Sequence, residues 1–477
     1  MRIRSDLLQK LRLASGWTQK EVAEQVEIDI KTYRNYESGR ANGAAAMPLR
    51  ASQYETLRGL AALFGLSAPE DLLEGELSRP TPTHAPAPPL RLRHTTAPVF
   101  PVARYVHRER EEKKALNRLR QPGAPVVIHG PEHFGASTFL GFLLHRAASP
   151  EAGVFPGQGP VAVLRLSAPD LLAQATTEAQ GEGALPRFLR GLARRLLDLL
   201  SLFDDAAALD ARVAEVFCGP GSAKAALSAL LEQAILQLQP ATPDGAPGLV
   251  VLAIEKADRL LGTPLQDDVF SLFRSWCEAG SASSASDDRH NPWTRLRLLT
   301  TVSTEPSLLE SLDHSSFFAL AAPIRIEEMD AAQLTRMAAL ARQLIDPPVA
   351  ERARAFLGGS PYLMQLLLRE AEEREAPLLQ VLRQEERALS QGEMLPLHSP
   401  FASHLQHLRV FLEQQPHLAT ALRGVLRGER PRFEDACRLY SKGLVVEDAP
   451  GTYRVRCPLY ERYFRVLFQL PAPEILP

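Results

Sequence analysis

The 477 residues are 45% hydrophobic and 23% charged, proportions that support several buried cores and exclude a chain disordered throughout. Lys and Arg number 54 against 56 Asp and Glu, so the net charge of -2 leaves any nucleic-acid contact to a local patch.

Residues 5–14 carry Leu7, Leu8, Leu11 and Ala14 at helical spacing before Gly16 stops the helix. Thr18 can cap the next helix in a capping box with Glu21, and Val22, Ala23 and Val26 form its inner face. A turn at 27–29 leads to a third helix over 30–38, closed by Gly39, and helices over 53–64 and 68–73 complete a five-helix domain. Two helices joined by so short a turn follow the helix-turn-helix pattern. Up to Arg40 eight Lys or Arg stand against six Asp or Glu, an excess small enough to favour dimeric DNA binding. A small helical adaptor would show the same core pattern.

The segment GWTQKEVAEQVEIDIKTYRNYESGR resembles the phage-repressor-type (XRE) helix-turn-helix family, from Thr18-Gln19 to Glu37-x-Gly39-Arg40. The resemblance implies a third helix in the major groove of double-stranded DNA. Lys31, Thr32 and Asn35 would face base edges, Gln19, Arg34 and Arg40 would contact backbone or nearby bases, and Tyr33 and Tyr36 would pack inward.

Residues 76–98 hold six prolines and no apolar periodicity, which reads as a semi-rigid, extended linker. Beyond it the buried-strand pattern of 125–129 runs into the loop GPEHFGAST and then an apolar helix. Strand, glycine-bounded loop and helix is the P-loop layout, in which backbone N–H groups surround phosphate oxygens, a Lys reaches the outer phosphates and a hydroxyl holds magnesium. Gly130, Gly135 and the hydroxyl of Ser137 are present, but Ala136 occupies the lysine position. A second buried strand over 249–254 ends in Glu255 and Lys256, where an Asp for magnesium and a Glu for the attacking water are expected. A third over 296–302 ends in Ser303, and Gly358-Gly359-Ser360-Pro361-Tyr362-Leu363 opens a later helix. The Ala/Leu-rich span 185–238 reads as helical packing surface around this core.

With Tyr105-Val106-x-Arg108, these motifs resemble, in order and spacing over about residues 99–380, the AAA-like members of the STAND class of P-loop signalling ATPases. The resemblance implies ATP or ADP with magnesium, the base near Tyr105, Arg108 and Pro361, and the phosphates on Gly130, Gly135, Ala136, Ser137 and Thr138. Glu255, Lys256 and Ser303 would face the phosphates, and Ser137 and Glu255 would hold the metal. Losing the P-loop cation forfeits about 1.5 to 3 kcal/mol of phosphate binding, and losing the water-orienting carboxylate removes a catalytic role. A pseudo-ATPase is therefore expected, with Lys256 projecting toward the vacated phosphate site.

Helices over 402–414, 416–426 and 433–441 precede strand patterns at 443–446 and 453–456 around a turn at 448–451, which is a winged-helix outline. The segments here resemble the winged-helix tail of the same class, which implies packing on the nucleotide domain. The arginines at 423, 427, 430, 432, 454 and 456 serve either that packing or a second DNA contact. His107, His129 and His133 lack metal-ligand partners and read as structural or surface residues.

The expected chain is thus multidomain: an all-α helix-turn-helix head (1–75), the linker (76–98), an α/β AAA-like P-loop core (99–345), a helical lid (346–398) and a winged helix (399–470). Four scattered cysteines offer neither a disulfide framework nor a zinc site, no apolar run approaches the roughly 20 residues of a membrane span, and Ser5 and Asp6 stand where a secretory signal needs an apolar run. A bacterial, cytoplasmic DNA-binding transcription regulator is expected, homo-oligomeric, not membrane-bound and answering a protein or small-molecule signal. A slow switch ATPase in phage defence or transposition-target selection, and a scaffold without DNA affinity, are the alternatives.

Overall fold

In the computed structural model the described residues are 2–3, 8–9, 11–12, 18–26, 28–37, 51–63 and 72–74, then 100–471 without 150–152, 156–158, 177–182, 200–205, 219–221, 239–246, 283–290, 304–316, 321 and 391–397. The proline-rich linker and Arg40 lie outside them. The chain forms two compact units, Met1–Pro88 and Pro89–Pro477.

In the first unit, helices α1 (Gln19–Gln25), α2 (Ile30–Glu37) and α3 (Ala51–Leu63) bury Leu8, Val22, Ala23, Tyr33, Tyr36, Leu57 and Leu60 against one another. The capping box forms as its residues dictate: the Thr18 amide donates to Glu21 Oε2 at 2.7 Å and the Glu21 amide to Thr18 Oγ1 at 3.2 Å. Tyr33 and Tyr36 point inward. The expected helix over 68–73 is corrected at its end. Leu73–Glu74 is a strand, β2, paired antiparallel with β1, Arg2–Ile3, so pairing with a segment seventy residues away prevails over local helical spacing.

The second unit is built on a five-stranded, wholly parallel sheet of β3 (Val126–His129), β4 (Val161–Ser167), β5 (Leu249–Glu255), β6 (Leu296–Val302) and β7 (Ile324–Arg325), ordered β4-β5-β6-β3-β7. Its central strands β5 and β6 are buried almost along their whole length and mostly apolar, as strands covered on both faces are. Helices α4 (Glu109–Leu119) and α5 (Ala136–Ala148) cover one face. The other carries α6 (Ala168–Thr176), α7 (Ala184–Leu199), α8 (Ala206–Phe217), α9 (Ala223–Gln237) and α10 (Gln266–Ser281), so the Ala/Leu-rich span is packing surface. Because β3 lies between β6 and β7, the loop after it opens where the carboxyl ends of β5 and β6 also finish.

Helices α11 (Ala331–Leu340), α12 (Pro347–Leu357), α13 (Pro361–Glu373) and α14 (Leu378–Ser390) share one apolar core with the tail. The tail consists of α15 (Ala402–Gln414), α16 (Pro416–Leu426), α17 (Phe433–Ser441), an antiparallel hairpin of β8 (Val445–Ala449) and β9 (Thr452–Val455), and a closing helix, α18 (Pro458–Leu467). Among the described residues no helix is long and apolar enough to cross a membrane.

Candidate nucleotide cleft and nucleic-acid interface

Gly135 ends the loop after β3 in the left-handed region, φ 96°, and caps α5 without any side chain accepting from the helix. The first N–H groups of α5 are thereby left for an anion. Ala136, Ser137 and Thr138 form this first turn, and Gly130 begins the loop with its amide donated to Val302 O at 3.2 Å. A β carbon at Gly130 would stand 3.0 Å from that of Ile326, so this glycine is also required by packing.

Two adjoining cavities open on the loop. The larger, about 690 Å³, is lined by Tyr105, Arg108, Gly135, Thr138, Met337 and Pro361 among others. The smaller, about 370 Å³, takes Gly130, Gly135, Ala136, Ser137, Lys256 and Ser303, again with Thr138 and Pro361. Every residue expected at the nucleotide except Glu255 therefore lines one wall or the other. The volumes suit a nucleotide-sized ligand.

Several of these side chains are already engaged. Tyr105 lies flat on Phe142, centroids 4.3 Å apart and planes 11° from parallel; burial, then the charge of Glu112, pushes its phenol far above the usual range. Arg108 is buried and donates to Glu327 O at 2.8 Å and Phe134 O at 3.1 Å, bracing the loop from behind. Ser303 Oγ donates to Asp258 Oδ2 at 2.7 Å. Lys256 stands at φ 53°, a left-handed conformation that costs a lysine about 1 to 2 kcal/mol, with its amide held by Thr301 Oγ1 at 2.9 Å. Its side chain is exposed on the cavity wall.

Glu255 faces a residue that sequence reasoning missed. Arg165, exposed on β4 between buried neighbours, donates to Glu255 Oε1 through Nε at 3.0 Å and through Nη2 as well, and its Nη2 lies 3.5 Å from Ser137 O. A guanidinium thus occupies the carboxylate expected to hold magnesium and lies beside the backbone carbonyl of Ser137. A divalent ion 4 Å from it would be repelled by on the order of 8 kcal/mol at an effective dielectric of 20. Among the described residues no group of three or more His, Cys, Asp or Glu could hold a metal ion.

Glu132, inside the loop, was missed too. It pairs with Arg259 at 3.0 Å and Lys442 at 2.8 Å, and its amide donates to Ser441 O at 2.8 Å. Buried Arg456 donates to Gly443 O, Val445 O and Glu328 Oε1 at 2.9 to 3.0 Å and lies over the Phe134 ring at 4.7 Å. The loop is thus held by the tail. His133, expected as a surface or structural residue, stacks on Tyr362 at 4.5 Å and lines the smaller cavity. No local signal marks these partners.

In the head, Lys31, Arg34 and Asn35 occupy positions i, i+3 and i+4 of α2, one face, with Tyr33 and Tyr36 on the other. Asp29 caps this helix, accepting from the amides of Lys31 at 2.8 Å and Thr32 at 3.0 Å and from the Thr32 hydroxyl, so that hydroxyl is turned back on the cap. Gln19 donates to Glu37 and accepts from Arg34 Nε at 3.3 Å, and Glu37 pairs with Arg12 at 2.7 Å. This chain of contacts fixes the direction of Arg34.

Residues 177–466 match the model of the AAA-like domain family, and residues 6–78 match that of a helix-turn-helix domain. Among solved structures, a Walker-type ATPase of Pyrococcus abyssi is similar at 16% identity and a TM-score of 0.46, over 76% of this chain and 96% of that one. The ORC2 protein of Aeropyrum pernix, solved as ADPNP-ADP complexes, is 13% identical with a TM-score of 0.41 over 76% and 93%. The ORC1 protein of the same organism, solved in complex with DNA, is 15% identical with a TM-score of 0.36 over 76% and 92%. No curated protein matches.

Proposed function

Because this chain belongs to the AAA-like domain family, we propose that it is a sequence-specific DNA-binding regulator of transcription whose AAA-like module is a nucleotide- or partner-sensing assembly switch of the STAND kind. One observation carries the reading: the loop of Gly135 to Thr138 and the wall of Tyr105, Arg108 and Pro361 share a cleft of nucleotide size. ATP or ADP would place its phosphates on the open N-terminus of α5 and its base in the larger cavity. With Ala136 and Lys256 at the two positions that serve hydrolysis, the module holds nucleotide without turning it over.

The head would read DNA through Lys31, Arg34 and Asn35, which share one helix face. A single head with so small a cationic excess binds weakly, and assembly through the second unit raises the effective concentration of the next head. The tail, read as a winged helix, grips the loop through Glu132 and would pass the state of the cleft to the assembly surface. Light scattering of the full chain, with and without saturating ATP, should show a change in mass, and retention of a selected DNA site should change with it. A constant mass would remove the switch. Lys31→Ala with Asn35→Ala should lower affinity for that site by about 10- to 100-fold; unchanged retention would mean that another surface reads the DNA.

A further inference from the structure

Glu255 and Ser137 are where a divalent ion would bridge protein and phosphates, yet two donors of Arg165 occupy the Glu255 carboxylate and a third contact reaches Ser137 O. The guanidinium also lies against α5 further along, since a β carbon at Gly141 would stand 3.5 Å from Arg165 Nη1. On the other side of the loop Lys256 and Arg259 line the smaller cavity, and the one loop carboxylate, Glu132, is paired with Arg259 and Lys442. The wall therefore carries more positive than negative charge before any ligand arrives. The position of the missing P-loop lysine is filled by the single methyl of Ala136, which leaves the loop open to the cation at the end of β5, Lys256.

We infer that the cleft binds nucleotide without a divalent metal ion: Arg165 neutralises the carboxylate that would hold magnesium, and Lys256 on the cavity wall supplies the charge that a P-loop lysine would otherwise bring. This rests on the nucleotide reading of the cleft and says which form of the ligand it takes: the free polyphosphate, not its metal complex. Arg165 has one role in it: its paired donors neutralise the carboxylate that would recruit the metal.

The test is titration of the full-length protein with a fluorescent ATP analogue, followed by anisotropy, in excess magnesium and in excess EDTA. The affinities should agree within about twofold. Arg165→Ala should make binding magnesium-dependent, tighter in magnesium than in EDTA by about ten- to a hundredfold, because Glu255 is released to hold the metal. Arg165→Lys, which keeps the charge, should remain metal-independent, and Lys256→Ala should weaken binding equally with and without magnesium; these two variants decide the matter if Arg165→Ala does not fold. Wild-type binding that tightens tenfold or more with magnesium overturns the inference and leaves the nucleotide site standing. No saturable binding in either condition overturns the site itself, and the inference with it.

Discussion

Two buried histidines tie the stability of the second unit to pH. His129, at the end of β3, stacks on Tyr440 and is pushed down to about 4, chiefly by burial and then by the charge of Arg325. His404 shares a 2.8 Å hydrogen bond with the Tyr460 hydroxyl and is pushed down to about 3, by burial first and then by His133. Both are neutral in the fold, while the unfolded chain takes up a proton near pH 6.5, so their contribution is complete above 6.5 and is lost as the pH falls toward 4. Each should cost about 1.4 kcal/mol per pH unit in that window. Urea unfolding at pH 7, 6 and 5 should show the loss, and His129→Gln with His404→Gln should flatten it; an equal slope in the double variant would assign the acid sensitivity elsewhere.

Among the elements, those with a local signal were legible in the sequence. The capping box of α1, the strand-loop-helix at 126–148 and the three tail helices follow from periodicity and from glycine and proline punctuation, and the inward Tyr33 and Tyr36 from the helix-turn-helix resemblance. What the sequence hid is pairing at a distance: Arg165 with Glu255 across 90 residues, Lys442 with Glu132 across 310, and β1 with β2. No periodicity encodes such partners, because only the folded sheet brings them together. Hence the cleft's walls, Lys256 among them, could be named from motifs, while Arg165 on the Glu255 carboxylate could not. The turn before α13 tests the element scale. Gly359 sits at φ 63° with Met329 O only 2.7 Å from where a β carbon would stand, whereas Gly262, at φ 72°, faces open space. Gly359→Ala should therefore cost about 3 kcal/mol from backbone strain and overpacking together, and Gly262→Ala about 1 kcal/mol from strain alone. Unfolding followed by tryptophan fluorescence would measure both, and equal costs would refute the crowding argument.

At the scale of the whole chain, nucleotide loop and tail form one mechanical body within the second unit. Arg456 lies at its centre, its guanidinium on two carbonyls, on Glu328 and on the face of Phe134. Arg456→Ala should destabilise this unit by about 2 to 4 kcal/mol and speed amide exchange at Glu132 and Phe134, since the Glu132 amide is held by Ser441 of the tail. Exchange there that stays at the wild-type rate would separate the loop from the tail. In the head, β1 and β2 set Arg2 opposite Glu74 and Ile3 opposite Leu73. Tension arriving from Glu74 while α2 is anchored on DNA would peel Leu73 and Glu74 from Ile3 and Arg2 one hydrogen bond at a time, like a zip, and not shear them together. That two-residue ribbon would then be the head's mechanical fuse, opening before a helix held on DNA is disturbed.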